Sequence, residues 1–192
     1  MAKENWRPGT MVYPLPAVIV TVGSDPEEWN PITIAWTGTI CSDPAMCYIS
    51  VRPERHSFPI LMKNMEFTIN LTTEKMAKAT DWIGVRSGKD FDKWKETGLT
   101  PIEGVMVASP TIEESPLSIE CRVKSVTDLG THHMFVADVL NVRADSRWID
   151  KETGRFNLKK AGIIAYCHGN YFTLGEKIGK FGFSVQKSKK SK

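Results

Sequence analysis

Long hydrophobic runs are missing from this chain of 192 residues. None approaches the roughly 20 residues that a membrane-spanning helix requires. The opening MAKENWRPGTMVYP has no apolar centre of the kind a signal peptide carries. The expected location is therefore the cytoplasm, away from membranes. Cysteine is scarce: Cys41, Cys47, Cys121 and Cys167 form no CxxC. The two nearest lie in apolar, strand-like stretches, which favours buried reduced thiols over a disulfide or a zinc site. The histidines His56, His132, His133 and His168 form no HExxH. The adjacent pair has the wrong geometry to share an ion on one strand, because alternate side chains point to opposite faces. No metal is expected. The phosphate-binding fingerprints GxGxxG and GxxxxGK[ST] are absent as well.

A large excess of one charge is missing too. The net charge is +3, from 25 basic and 22 acidic residues. Lys187, Lys189, Lys190 and Lys192 all fall in the closing VQKSKKSK, and without these four the remainder carries −1. A body of that charge does not suit a nucleic-acid binder. The expected organisation is one domain over 1–186 and a basic, disordered tail at 187–192. A chain of this length can bury well over half of its unfolded surface, so the domain needs no metal or disulfide to hold it.

What is present is strand character broken by a few helices. LPAVIVTVG, ITIAWTGTIC and MCYISV are β-branched or aromatic runs separated by the turn-like SDPEEWN and SDPAM. They suggest an antiparallel meander in which ITIAWTGTIC is one strand paired with MCYISV. Ser57 before FPILMKNM reads as a helix N-cap. FTINLT returns to strand. Thr73 reads as the cap of EKMAKATDWIGV, where Met76, Ala79 and Ile83 share a face. FDKWKETG reads as a short helix closed by Gly98. SPLSIECRVKSVTDLG and HHMFVADVLNVRAD form two long strands with a Gly-containing turn between them. This pattern favours an antiparallel β-barrel with helical insertions. It lacks the regular alternation of a doubly wound α/β fold.

Two stretches carry chemistry. In SVRPERHS, Arg52 and Arg55 leave a strand end in a turn fixed by Pro53, just before a helix begins. Two guanidinium groups beside a helix start make a phosphate cradle. The plainer alternative is a solvated turn in which Glu54 neutralises a neighbour. In TIAWT, Thr33 and Thr37 offer hydroxyls, Ala35 allows close approach and Trp36 offers an aromatic face, as a planar heterocycle requires. The plainer alternative there is that Trp36 packs in the core.

Together the stretches resemble the flavin reductase-like, FMN-binding split-barrel family, its flavoredoxin-type members in particular. The resemblance runs through NPITIAWTGTICSDP, SVRPERHS, FTINL, DFDKW with TGLTP, ESPLSIEC, GTHHMFVADV and HGNYFTLGEKIGKFG. These appear in the family's order over roughly residues 10–185. The resemblance implies a mainly β, Greek-key, antiparallel split barrel with a few helical insertions, FMN as cofactor, and a homodimer. It places Thr33, Ile34, Ala35, Trp36 and Thr37 along the flavin ring, largely through backbone groups. It places Ser50, Val51, Arg52, Arg55, His56 and Ser57 at the phosphate end, with Lys93 nearby. His132 would stand near the redox face, and Tyr171, Phe172 and Phe181 would cover the cofactor or join the dimer. The expected activity is oxidoreductase chemistry on FMN, with electrons from NADH, NADPH or a redox-protein partner. They would pass to a flavin, a redox protein or oxygen. A non-redox FMN-binding or storage protein is the alternative.

Overall fold

The computed structural model describes residues 1–185, so the expected tail at 187–192 and the domain end at 186 lie outside the described residues. The chain enters through β1 (Leu15–Pro16) and turns at once into β2 (Val18–Val22), a VIVTV run buried at every position. Burial on both faces explains its composition, since neither face has to meet water. Val18, Val20 and Val22 face the main core. Ile19, on the other face, joins Met76, Ile83, Leu99 and Ile112 in a second core under the helices. The one hydroxyl in the run, Thr21, donates to the carbonyls of Thr68 and Pro110, so its burial leaves no group unsatisfied.

β3 (Asn30–Ile34) returns antiparallel to β2, and the chain then crosses to β4 (Thr37–Ser42) and β5 (Ala45–Val51). α1 (Ser57–Asn64) packs its Leu61 into the main core and leads to β6 (Glu66–Leu71). A 3₁₀ turn over Glu74–Met76 opens α2 (Ala77–Val85), and α3 (Lys93–Thr97) follows. The short pair β7 (Pro101–Ile102) and β8 (Thr111–Ile112) precedes the long hairpin of β9 (Leu117–Asp128) and β10 (His133–Ala144). α4 (Leu158–Ala161), β11 (Ile164–Cys167) and β12 (Asn170–Thr173) complete the named elements.

Seven strands form one antiparallel sheet in the order β3-β2-β6-β9-β10-β5-β4. Its two edges, β3 and β4, are consecutive in the chain, with only Ala35 and Trp36 between them. The sheet must therefore curl until its edges meet, and it does so as a split barrel. Phe67 and Phe135, both fully buried, fill the interior with Ile49, Val51 and Leu61. A second sheet, β1-β11-β12, lies outside the main one.

Three sequence expectations are corrected. ITIAWTGTIC is not one strand: Thr33 and Ile34 pair with Ile19 and Val18, whereas Thr37 pairs with Ile49. The β-branched and aromatic composition runs through the break, so periodicity does not reveal it. Ser57 is not the N-cap, because helical geometry already begins at His56 and Ser57 is the first helical residue. Its hydroxyl is buried and accepts from Asn30 Nδ2 at 2.6 Å. Thr73 does hold the N-cap position ahead of the 3₁₀ turn, in extended geometry, but its side chain makes no capping bond. The helix face of Met76, Ala79 and Ile83 is as expected, and so are the Gly98 stop, at φ 69°, and the long hairpin. Cys47 and Cys121 are buried free thiols with their sulfurs 3.5 Å apart, while Cys41 and Cys167 are only half-buried.

Candidate functional site

The break between β3 and β4 opens the first cavity, of about 450 Å³. Thr37 N–H donates back to Ala35 O (3.0 Å), and Ser50 N–H donates to Trp36 O (2.9 Å). These bonds fix the crossing chain against the end of β5. Thr33, Ile34, Ala35, Trp36, Ser50, Val51, Arg52, Arg55 and His132 all line this cavity. Trp36 is half-buried at its wall rather than packed in the core. Thr37 lies outside: its hydroxyl donates to Tyr48 O at 2.6 Å. The Thr33 hydroxyl is likewise engaged, with Thr80 O at 2.5 Å. Neither threonine therefore has its hydroxyl proton free for a ligand, although the Thr33 oxygen at the cavity wall can still accept.

A second cavity, of about 470 Å³, adjoins the first and shares Ile32, Arg52, Arg55 and Val85 with it. His56, Ser57 and Lys93 line this one, together with Glu54, Arg86, Ser87 and Gly88. The loop after α2 can come this close only because residue 88 is glycine. A β-carbon there would stand 2.0 Å from Asn30 Oδ1 and 2.8 Å from the His56 ring. Arg55 donates one N–H to Gly84 O at 3.1 Å. Arg52 meets the Glu54 carboxylate at 3.3 Å, but both side chains are half-exposed or more, so solvent screens that pair. The solvated-turn reading and the cradle thus coexist in one turn, and most of each guanidinium remains free.

Lys93 is the least expected feature. It opens α3, whose start is fixed by Asp92 accepting from Trp94 N and Lys95 N, and whose far side is anchored by Trp94 Nε1 donating to Trp29 O. That placement turns Lys93 inward to 4% exposure. Its Nζ donates to Pro31 O (3.0 Å) and Ile83 O (2.9 Å). Burial first, and the neighbouring Arg55 charge second, hold its pKa down at about 8.

His132 stands in the turn of the β9–β10 hairpin, where Gly130 adopts φ 96° and Leu129 N–H donates to His132 O at 2.9 Å. Its Nδ1 is 2.9 Å from the Thr131 hydroxyl. Desolvation, and then the charges of Arg52 and Arg55 outweighing that of Glu54, lower its pKa and favour the neutral ring. His133, the next residue, packs edge-on to Phe58 instead, so the two imidazoles diverge.

Sequence reasoning missed several wall residues. Asp81, Gly84 and Val85 come from α2, and Tyr166 from β11. Tyr171, from β12, was named by the resemblance; it lines the first cavity and donates to Asp81 Oδ1 at 3.2 Å. Burial, reinforced by the Asp81 charge, pushes the Tyr171 phenol up to about 12. Arg86, Ser87 and Gly88 had a usable signal, a basic glycine turn directly after a helix. Phe172 and Phe181 are exposed and line neither cavity. Among the described residues no helix is long and apolar enough to cross a membrane, and no three His, Cys, Asp or Glu side chains cluster as metal ligands.

A split barrel with an aromatic chamber opening into a cationic one defines the class. Residues 10–175 match the flavin reductase like domain, and the chain belongs to that family. An uncharacterized protein of Pyrococcus abyssi is 27% identical over 175 residues, which are 91% of this chain and 97% of that protein. The flavoredoxin of Desulfovibrio vulgaris (Miyazaki F) superposes with a TM-score of 0.89 at 24% identity, covering 96% of this chain and all of that one. An FMN-binding protein from Thermus thermophilus, solved with bound 1-cyclohex-2-enone, gives 0.78 at 23% identity, covering 94% and 98%.

Proposed function

We propose that the paired cavities hold FMN, with the isoalloxazine ring in the first and the phosphate in the second, and that the protein is an oxidoreductase. The observation that carries this reading is the division of labour between two adjoining spaces. One has Trp36, Tyr166 and Tyr171 in its wall, and the other gathers Arg52, Arg55, Arg86 and Lys93 against the single carboxylate of Glu54. A ligand that suits both must be a planar aromatic joined to an anion by a short linker, and FMN is such a molecule. The fold likeness to a flavoredoxin and to an FMN-binding protein supports the same choice.

Bound FMN would supply the redox chemistry, taking up a hydride or single electrons and releasing them again. The protein's part is to bind and orient. Arg52 and Arg55 stand on the shared wall, where their forks can pair phosphate oxygens. Trp36 flanks the ring. The crossing chain at Ala35–Trp36 gives the ring's polar edge backbone partners. His132, neutral at pH 7, offers one ring nitrogen for hydrogen bonding while the other is held by Thr131. The donor is NADH, NADPH or a redox protein, and a second copy of the chain completes the assembly as a homodimer.

The test is anaerobic addition of NADH, and separately NADPH, to the FMN-loaded protein. Bleaching of the flavin absorbance with either nucleotide supports a reductase. A flavin left oxidised by both, yet reduced by an iron–sulfur or haem protein, supports an electron carrier. A flavin reduced by neither route supports storage and contradicts the oxidoreductase reading.

A further inference from the structure

Lys93 is a buried cation whose partners suit its neutral form better than its charged one. A neutral amine has two N–H groups, and the protein provides two acceptors, Pro31 O at 3.0 Å and Ile83 O at 2.9 Å. An ammonium has a third N–H. Among the described residues no carboxylate lies within ion-pair distance of Lys93. Among the described residues the third proton and the positive charge therefore lack a partner, and Lys93 lines the second cavity.

We propose that Lys93 couples occupation of the second cavity by a phosphate monoester to the uptake of a proton. The site then holds phosphorylated flavin in neutral solution and loosens it in alkali. This inference rests on the flavin reading given above.

The surroundings of Lys93 make it the group that responds. The charged and titratable side chains of the second cavity are Arg52 and Glu54 from the turn after β5, Arg55 and His56 just before α1, and Arg86 after α2. β3 faces Lys93 with a carbonyl and has no ionisable side chain. Arginine does not lose its proton in this range. Carboxylates ionise far below it, and histidine changes charge between about pH 5 and 8. A phosphate monoester is already a dianion above about pH 7. Between pH 8 and 9.5 the lysine alone among these groups changes charge. Burial and Arg55 bring its titration to about 8 in the free protein. A dianion beside it favours the charged form and draws the proton back.

Calorimetric titration of the full-length protein with FMN, in two phosphate-free buffers of unlike ionisation heat, counts the protons taken up and needs no variant. Uptake of a fraction of a proton is expected near pH 8, growing as the pH rises above it, because burial brings the Lys93 titration to about 8. FMN affinity is expected to fall on the order of tenfold between pH 8 and 9.5. Riboflavin has the same ring without the phosphate, so its affinity should lack this added slope. Lys93→Met, its fold checked by circular dichroism, should bind FMN more weakly at pH 8 and with no such pH slope. FMN binding with no proton uptake, or with equal slopes in wild type and Lys93→Met, overturns the inference and leaves the flavin reading intact. Failure to bind FMN at pH 7 contradicts both.

Discussion

The rings of Trp36 and His132 lie nearly parallel, tilted 15° from each other with centroids 6.5 Å apart. They reach this arrangement from distant parts of the chain, Trp36 from the crossing between the two sheet edges and His132 from the turn of the longest hairpin. Both line the first cavity. The pair ties the mouth of the site to the way the barrel closes, and it gives the site an aromatic side on which a flat ligand can lie.

Trp36→Ala removes that surface while leaving the backbone bonds of the crossing in place. FMN and riboflavin affinity are expected to fall together, by about 0.5–1.5 kcal/mol for the lost aromatic contact. Equilibrium titration of both flavins checks this, and a loss confined to FMN would move Trp36 away from the ring.

Arg52→Ala should act in the opposite way. It is expected to cost about 1.5–3 kcal/mol of FMN affinity, the range for a hydrogen bond to a charged group, with little effect on riboflavin. The same two titrations supply the answer. Unchanged FMN affinity would remove Arg52 from the phosphate site.

His132→Ala is expected to slow flavin reduction more than it lowers flavin affinity. The wild-type ring has a pKa below the ordinary histidine value. A rate that depends on the neutral ring therefore holds at neutral pH and declines only at pH below the ordinary histidine range. Stopped-flow reduction across pH 5.5–8 checks this. A pH profile unaltered in the variant would assign the acid limb to another group.

Lys93 also bears on stability without ligand. Its folded-state pKa of about 8 lies below the roughly 10.4 of an unfolded lysine. Between these values the unfolded chain holds a proton that the folded chain has released. Unfolding takes up protons there, and the lysine's contribution to stability rises with pH across that window. Urea midpoints of wild type and Lys93→Met, both free of flavin, should show the gap between them shift in favour of wild type from pH 8 to pH 10. A constant gap would mean that Lys93 titrates alike in both states.

The main core gives a control. Phe135→Ala empties a fully buried position and is expected to cost about 3–5 kcal/mol in urea unfolding.

Parts of this architecture were legible in the sequence, for identifiable reasons. The β9–β10 hairpin announced itself because two long strand-like runs flank Gly130, and α3 because Gly98 marks its end. The break at Ala35–Trp36 was hidden, because strand-forming residues continue through it on both sides. The engaged hydroxyls of Thr33 and Thr37 were hidden as well, since their acceptors, Thr80 O and Tyr48 O, are backbone atoms brought close by the fold. Lys93 entered through resemblance alone: lysine is almost always exposed, and nothing in DFDKW says that this one is buried. Tyr166 shows the same limit, since β11 is placed by pairing with β1, far away in the chain.

The most direct test of FMN binding in the paired cavities is a spectrum of the purified protein, taken before and after incubation with FMN and removal of free flavin by gel filtration. If the paired cavities hold FMN, flavin absorbance travels with the protein, and FMN quenches tryptophan fluorescence less in Trp36→Ala than in wild type. Protein that emerges without flavin, and whose fluorescence FMN does not alter, would contradict the assignment of the paired cavities.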